Sequence, residues 1–365
     1  MLPSWEGLGV GGARGPDDLT TEAIAAFLKT PLIEKSEIIQ DIEDKFAKRG
    51  RKITDNNRKQ ALIPKGADIL PNIVGTAPGI IWQPQEGLTI LTFPGVPSEM
   101  KRMWRETAVP YLKSQGWGKE IIYSRMLRFK GIGESALANK VSQFFDLTNP
   151  TVAPYASKGE VKLRVSAKAT SEAEAIKLIS PVAQQIQEIA GLDYFGCDDD
   201  TLASVVGQSL REAGETLSVA ESCTGGGLGE MLTSISGSSD YFMGGVIAYD
   251  NQVKMSLLAV SQENLTQFGA VSEPVAKEMA LGVKTQLGTS WGLSITGIAG
   301  PGGGDANKPV GLVYIGLATP EDKVESFEYR LGEERDRSII RYISAANALD
   351  QLRRKLKKIS RKYSD

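Results

Sequence analysis

The sequence predicts an α/β protein of three modules in series: a parallel-sheet module over residues 1–117, a small α+β module over 118–200 and a three-layer α/β/α module over 201–365. Three observations carry this. Apolar runs of helical and strand period alternate through the first third of the chain. At about Ile121 the pattern turns to two long strands flanked by two helices. From Thr201 onward, apolar strands run repeatedly into Gly-rich loops that open helices. A chain of 365 residues also exceeds what one core organises.

In order, TEAIAAFLKT has apolar residues at helical spacing behind a Thr cap, and KSEIIQDIEDKFAKRGRK forms a second amphipathic helix ending near Gly50. NNRKQALIP, a GTAPG turn and the strand LTILTFPG follow, running into the helix PSEMKRMWRETAVPYLKSQG. The FPGVPSEM loop sits where an open parallel sheet binds ligand, and it equally suits a plain Pro-rich turn capped by Ser98. In the middle module SRMLRFKG and GEVKLRVSAKA are strands, and GESALANKVSQFF and EAEAIKLISPVAQQIQEIA are helices. Its GIGES loop suits either the backbone clamp of a KH-like module or a helix entered through glycine. In the last module ASVVGQSLREAG is a helix, TLSVAES a buried strand, and CTGGGLGEMLTSI a Gly-rich loop opening a helix. GGVIAYD, WGLSITGIAG and GLVYIGLAT are further strands, and the basic RSIIRYISAANALDQLRRKLKKI closes the chain as a helix.

Composition narrows the chemistry. The net charge of −2 argues against nucleic acid as a partner at chain level. No run approaches the ~18–20 apolar residues of a membrane helix, and the first residues lack a secretory pattern, so a cytoplasmic protein without membrane partners is expected. Two cysteines, Cys197 and Cys223, exclude a disulfide framework. The chain has no histidine, which removes Ser-His-Asp and Cys-His catalysis and imidazole metal sites together. A catalytic base must then be Lys, Asp, Glu, Tyr or a metal-bound water held by oxygen ligands.

Three loops of the last module carry candidate chemistry. In SVAESCTGGGLGE, Ser222 follows a strand beside the turning backbone of Cys223 to Gly227, as a nucleophile or as an N-cap, a role Thr224 could also fill. Cys223 is a second candidate nucleophile or a buried filler. In GVIAYDNQVKMSLL, Tyr249, Asp250, Asn251 and Lys254 follow a strand; a partly buried Lys254 would replace histidine as the base for Ser222. SITGIAGPGGGD delivers Thr296 and five glycines to the sheet edge, with Asp305 beyond, suited to close backbone approach to a ligand. Arg335 and Arg341 could bind a phosphate bidentately, with Arg337 as an alternative.

AESCTGG, YDNQVK, FGAVSEPVAKEMA, TGIAGPGGG and KPVGLVYIG, in that order, resemble the C-terminal domain of the competence/damage-inducible CinA family, from Thr201 to about Leu356. Members of that family domain are amidohydrolases that convert nicotinamide mononucleotide to nicotinic acid mononucleotide and ammonia. The resemblance implies Ser222 as nucleophile, Lys254 as base and Tyr249 assisting, with no cofactor. It further implies that Cys223, Thr224, Gly225, Gly226, Thr296, Gly297 and Gly300 line a nucleotide substrate, and that Arg335 or Arg341 meets its phosphate. A homodimer is implied as well. DDLTTEAIA, NNRKQALIP, GTAPG and PGVPSEM are similar to the family's N-terminal domain, of MoaB/MogA-like molybdopterin-binding fold, which is associated with metal-dependent ADP-ribose hydrolysis. Asp17, Asp18 and Glu99 match acidic positions suited to a divalent metal. The family's opening strands are missing, and GVGGARGPDDLT replaces GGLGPTPDDLT, so a truncated domain with impaired or lost activity is expected. The other function the sequence permits is a nucleotide- or pterin-binding competence- or damage-related protein without turnover.

Overall fold

The computed structural model describes residues 19–48, 50–157 and 159–362. The chain divides into two compact units, the break falling after Lys119.

Among the described residues the first unit holds two small sheets. Strand β1 (Leu32–Glu34) pairs antiparallel with β2 (Leu62–Pro64), and β3 (Asp68–Leu70), β4 (Gly79–Gln85) and β5 (Leu88–Thr92) form an antiparallel meander. Strand β4 is buried on both faces because its alternation serves two cores. Ile80 and Trp82 join Ile38 and Ile42 of the Ser36–Ala47 helix, whereas Ile81 joins Leu70 and Met103. The parallel sheet expected here is corrected: every described strand pairing in this unit is antiparallel. For β4 and β5 the physical reason is the connection, since the two-residue turn Glu86-Gly87, with Gly87 at φ +77°, permits only an antiparallel return.

The second unit contains the middle module and the C-terminal module. In the middle module β6 (Ile121–Phe129), β7 (Thr151–Ser157), β8 (Glu160–Ala169) and β9 (Tyr194–Cys197) form an antiparallel sheet of order β7-β8-β6-β9. The inward residues Val161, Leu163, Val165 and Ala167 of β8 pack on Ala175, Ile179, Ala183 and Ile186 of the Glu172–Ala190 helix. Period 2 on the strand thus meets period 3.6 on the helix, as the sequence requires.

The C-terminal sheet runs β11-β10-β12-β13-β14, with β10 (Leu217–Glu221), β11 (Phe242–Ile247), β12 (Trp291–Gly297), β13 (Leu312–Ala318) and β14 (Val324–Arg330). Strand β10 is flanked by parallel partners on both sides, and β13 and β14 extend the sheet antiparallel. Helices cover both faces. Leu202–Ala213, Gly227–Thr233 and Arg337–Lys362 pack on Val219 and Ile295, and Asn251–Leu258 and Glu273–Leu287 pack on Ala220. Close seating of the Glu273–Leu287 helix depends on Gly292 and Gly316, where any Cβ would collide with the carbonyls of Ala280 and Ala276. The chain passes from β10 to β11 on one side and on to β12 on the other, so β10 is the point at which strand order reverses. At the carboxyl edge of such a strand the following loops part and leave a crevice. Among the described residues no helix is long and apolar enough to cross a membrane.

Candidate active site

Strand β10 delivers Ser222 to that crevice, and its end is pinned from both neighbours. Ser222 N–H donates to the Ile295 carbonyl at 2.9 Å, and the Glu221 carbonyl accepts from Ala248 N–H at 2.8 Å. The chain then turns through Gly225 and Gly226, at φ +55° and +96°, a region where a side chain strains the backbone. From Gly227 a short helix begins.

Lys254 lies in the second turn of the Asn251–Leu258 helix, which Asp250 caps through its side chain. It is 1% exposed, and its Nζ lies 3.2 Å from Ser222 Oγ, 2.7 Å from the Ala248 carbonyl and 3.2 Å from the Tyr249 carbonyl. Burial pulls its pKa below the ordinary lysine value, against the opposing pull of Asp250. A neutral amine has two N–H donors and one lone pair. The two carbonyls take the donors, which leaves the lone pair for the Ser222 hydroxyl. The arrangement therefore forms a serine poised beside a base that burial favours in its neutral form.

Cys223, next in the chain, is buried, and its thiol is pushed up to about 12 by that burial, so it is a protonated filler and not a nucleophile near neutral pH. Thr224 is fully buried; its carbonyl accepts from Arg341 Nη2 at 2.6 Å and Nε at 3.2 Å, while its hydroxyl has no partner among the described residues. Buried polar atoms are seldom left so, and this one stands two residues from Ser222.

The remaining predicted residues are placed as follows. Tyr249 meets Lys254 through its carbonyl; the residue is 62% exposed and its hydroxyl accepts from Arg337 Nη2 at 3.1 Å. Thr296 is buried, and its hydroxyl is spent on the Ala270 carbonyl at 2.8 Å. A Cβ on Gly297 would crowd the Leu312 carbonyl, and the Gly300 carbonyl accepts from Arg337 Nη1 at 2.8 Å. Arg337 and Arg341, one turn apart on the closing helix, thus face the loops after β10, β11 and β12, and both act electrostatically on the Cys223 thiol. Arg335 precedes that helix and lies beside Glu334 at 3.7 Å.

Glu221 was not among the residues singled out from sequence. Its carboxylate is 2% exposed and accepts from the N–H groups of Gly226 and Leu228, both at 3.0 Å, and of Gly229 at 2.8 Å. The helix-start donors are thereby consumed. The available signal was an acidic residue ending a buried strand immediately before a glycine loop. In the first unit, Asp17 and Asp18 lie outside the described residues, and Glu99 accepts from the Asn72 side-chain amide at 2.7 Å. Among the described residues no three acidic or thiol side chains converge as a metal site would need.

Together these features define a doubly wound α/β domain with a serine and a buried lysine at its switch point. Residues 199–356 match the family described as CinA C-terminal domain, residues 124–196 the damage-inducible protein CinA KH domain, and residues 8–114 the probable molybdopterin binding domain. The chain is 72% identical over 341 residues to a CinA-like protein of Rippkaea orientalis, spanning 93% of this chain and 82% of the relative; a CinA-like protein of Nostoc punctiforme is 71% identical with the same coverage. The chain belongs to the CinA family. Among solved structures, the competence/damage inducible protein CihA from Agrobacterium tumefaciens is 40% identical, with 41% of this chain and 91% of that chain covered at a TM-score of 0.41.

Proposed function

We propose that this chain is an amidohydrolase that converts nicotinamide mononucleotide to nicotinic acid mononucleotide and ammonia, through Ser222 and Lys254. The observation that carries the reading is the 3.2 Å approach of Lys254 Nζ to Ser222 Oγ while two carbonyls hold its other contacts.

Neutral Lys254 takes the Ser222 proton as Oγ attacks the carboxamide carbon, forming the C–O bond and an oxyanion. Among the described residues the Thr224 N–H has no backbone acceptor and the Cys223 N–H meets only its own thiol, so these two are the donors left for that oxyanion. Collapse breaks the C–N bond, and protonated Lys254 passes its proton to the leaving amine, which departs as ammonia. The same lysine then takes a proton from water, which attacks the ester; the nicotinate product forms and Ser222 is restored. Arg337 and Arg341 would hold the phosphate, as guanidinium groups do. The CinA family membership and the Ser/Lys geometry both support this reading, and no step needs histidine or a metal. Ammonia release from nicotinamide mononucleotide tests it: turnover lost on Ser222→Ala and unaffected by chelator is expected, and turnover that survives Ser222→Ala would overturn it.

A further inference from the structure

We infer that Glu221 is a positioning residue for the nucleophile, shaping the Ser222 loop by closing it on its own carboxylate; this rests on the amidohydrolase reading. The backbone of Glu221 is fixed between Ile247 and Ile295 in the sheet register. Its side chain reaches past the loop to three backbone N–H groups, those of Gly226, Leu228 and Gly229. Among the described residues no cation pairs with it, so the three N–H dipoles are its counter-charge. Between the strand end and these anchors lie Ser222, Cys223 and Thr224 followed by glycines, a stretch with little stiffness of its own.

Two consequences follow for the chemistry. The loop becomes a closed ring whose mouth is Ser222, which holds Oγ at hydrogen-bonding distance from Lys254. The helix-start donors are also withheld from any external anion, so the oxyanion is left to Cys223 and Thr224 N–H and the phosphate to Arg337 and Arg341. Glu221 touches no reacting atom; it acts through Ser222 and the loop donors. A glutamine here would set its own N–H donors against backbone N–H groups, and the three donors could no longer all be accepted.

The test compares the full chain with Glu221→Gln and Glu221→Ala, reading ammonia release and the rate at which a fluorophosphonate labels Ser222. Expected for Glu221→Gln is a fall of about tenfold or more in kcat and in labelling rate, the scale of a modest misplacement of a reacting group, with KM within about twofold. Expected for Glu221→Ala is a larger loss that formate restores in part and chloride does not, since formate can refill a carboxylate cavity lined by three N–H groups. Equal kcat and labelling rate in Glu221→Gln and the parent would overturn the assignment alone, as would an Ala variant, folded by circular dichroism, whose loss formate leaves untouched. A parent that neither releases ammonia nor labels at Ser222 would refute the amidohydrolase reading, and the assignment with it.

Discussion

Replacing Lys254 by methionine separates its chemical from its structural part. Lys254 is 1% exposed, so methionine, of similar length and without charge, fills the same volume. The rate loss is that of a removed general base, about 10²–10⁴-fold, or roughly 3–5.5 kcal/mol at 1.36 kcal/mol per decade. The stability loss is a separate quantity. The carbonyls of Ala248 and Tyr249 lose a donor, at about 1–3 kcal/mol for each one left unsatisfied, offset in part because a desolvated amine no longer has to be buried. The variant should be almost inactive while folded, and circular dichroism checks the second half. Its pH behaviour carries the sign. Because burial lowers the Lys254 pKa in the folded state, the unfolded chain binds the extra proton over the interval between the lowered value and 10.5, and stability rises with pH there. The parent's kcat/KM should also climb about tenfold per pH unit below the lowered pKa and level off above it. Both slopes should vanish in Lys254→Met. Steady-state ammonia assays and urea unfolding across pH measure them. A variant keeping more than about a tenth of the parent's kcat, less than the loss of a base allows, or one with the parent's pH profile, would refute the role given to this lysine.

Other outcomes follow from the same geometry. Cys223→Ala should keep kcat within about threefold, since its protonated, buried thiol takes no part; a loss approaching that of Ser222→Ala would reassign the nucleophile. Arg337→Ala should raise KM by roughly 10–100-fold, the scale of about 1.5–3 kcal/mol for charged hydrogen bonds, whereas Arg335→Ala, which removes a pair with Glu334 before the closing helix begins, should leave KM unchanged. Gly226→Ala places a side chain at φ +96° against Ile247 and should destabilise the fold by about 1 kcal/mol or more, read as a lowered Tm.

Much of this site is legible in the sequence, because an apolar strand running into a glycine loop fixes where the chain must turn and what it exposes there. Ser222 and Lys254 are found that way, one at a strand end and one a helical turn past Asp250. The rest depends on proximity that no spacing encodes. Tyr249 meets Lys254 through its carbonyl, a group every residue has. Arg337 differs from Arg335 only by where the closing helix begins, since residues 337 and 341 share a face once the helix starts at 337. Glu221 bonds to residues five to eight positions later, through a turn whose path two glycines set. In the first unit, the apolar run LTILT revealed strand β5 but not its direction, which the short turn before it decides.

The most direct measurement is ammonia release from nicotinamide mononucleotide by the full chain, beside Ser222→Ala, with and without chelator. Steady turnover that chelator leaves unchanged and Ser222→Ala abolishes is the predicted result. A folded parent that binds the nucleotide and releases no ammonia, or a Ser222→Ala chain that turns over like the parent, would contradict a serine amidohydrolase.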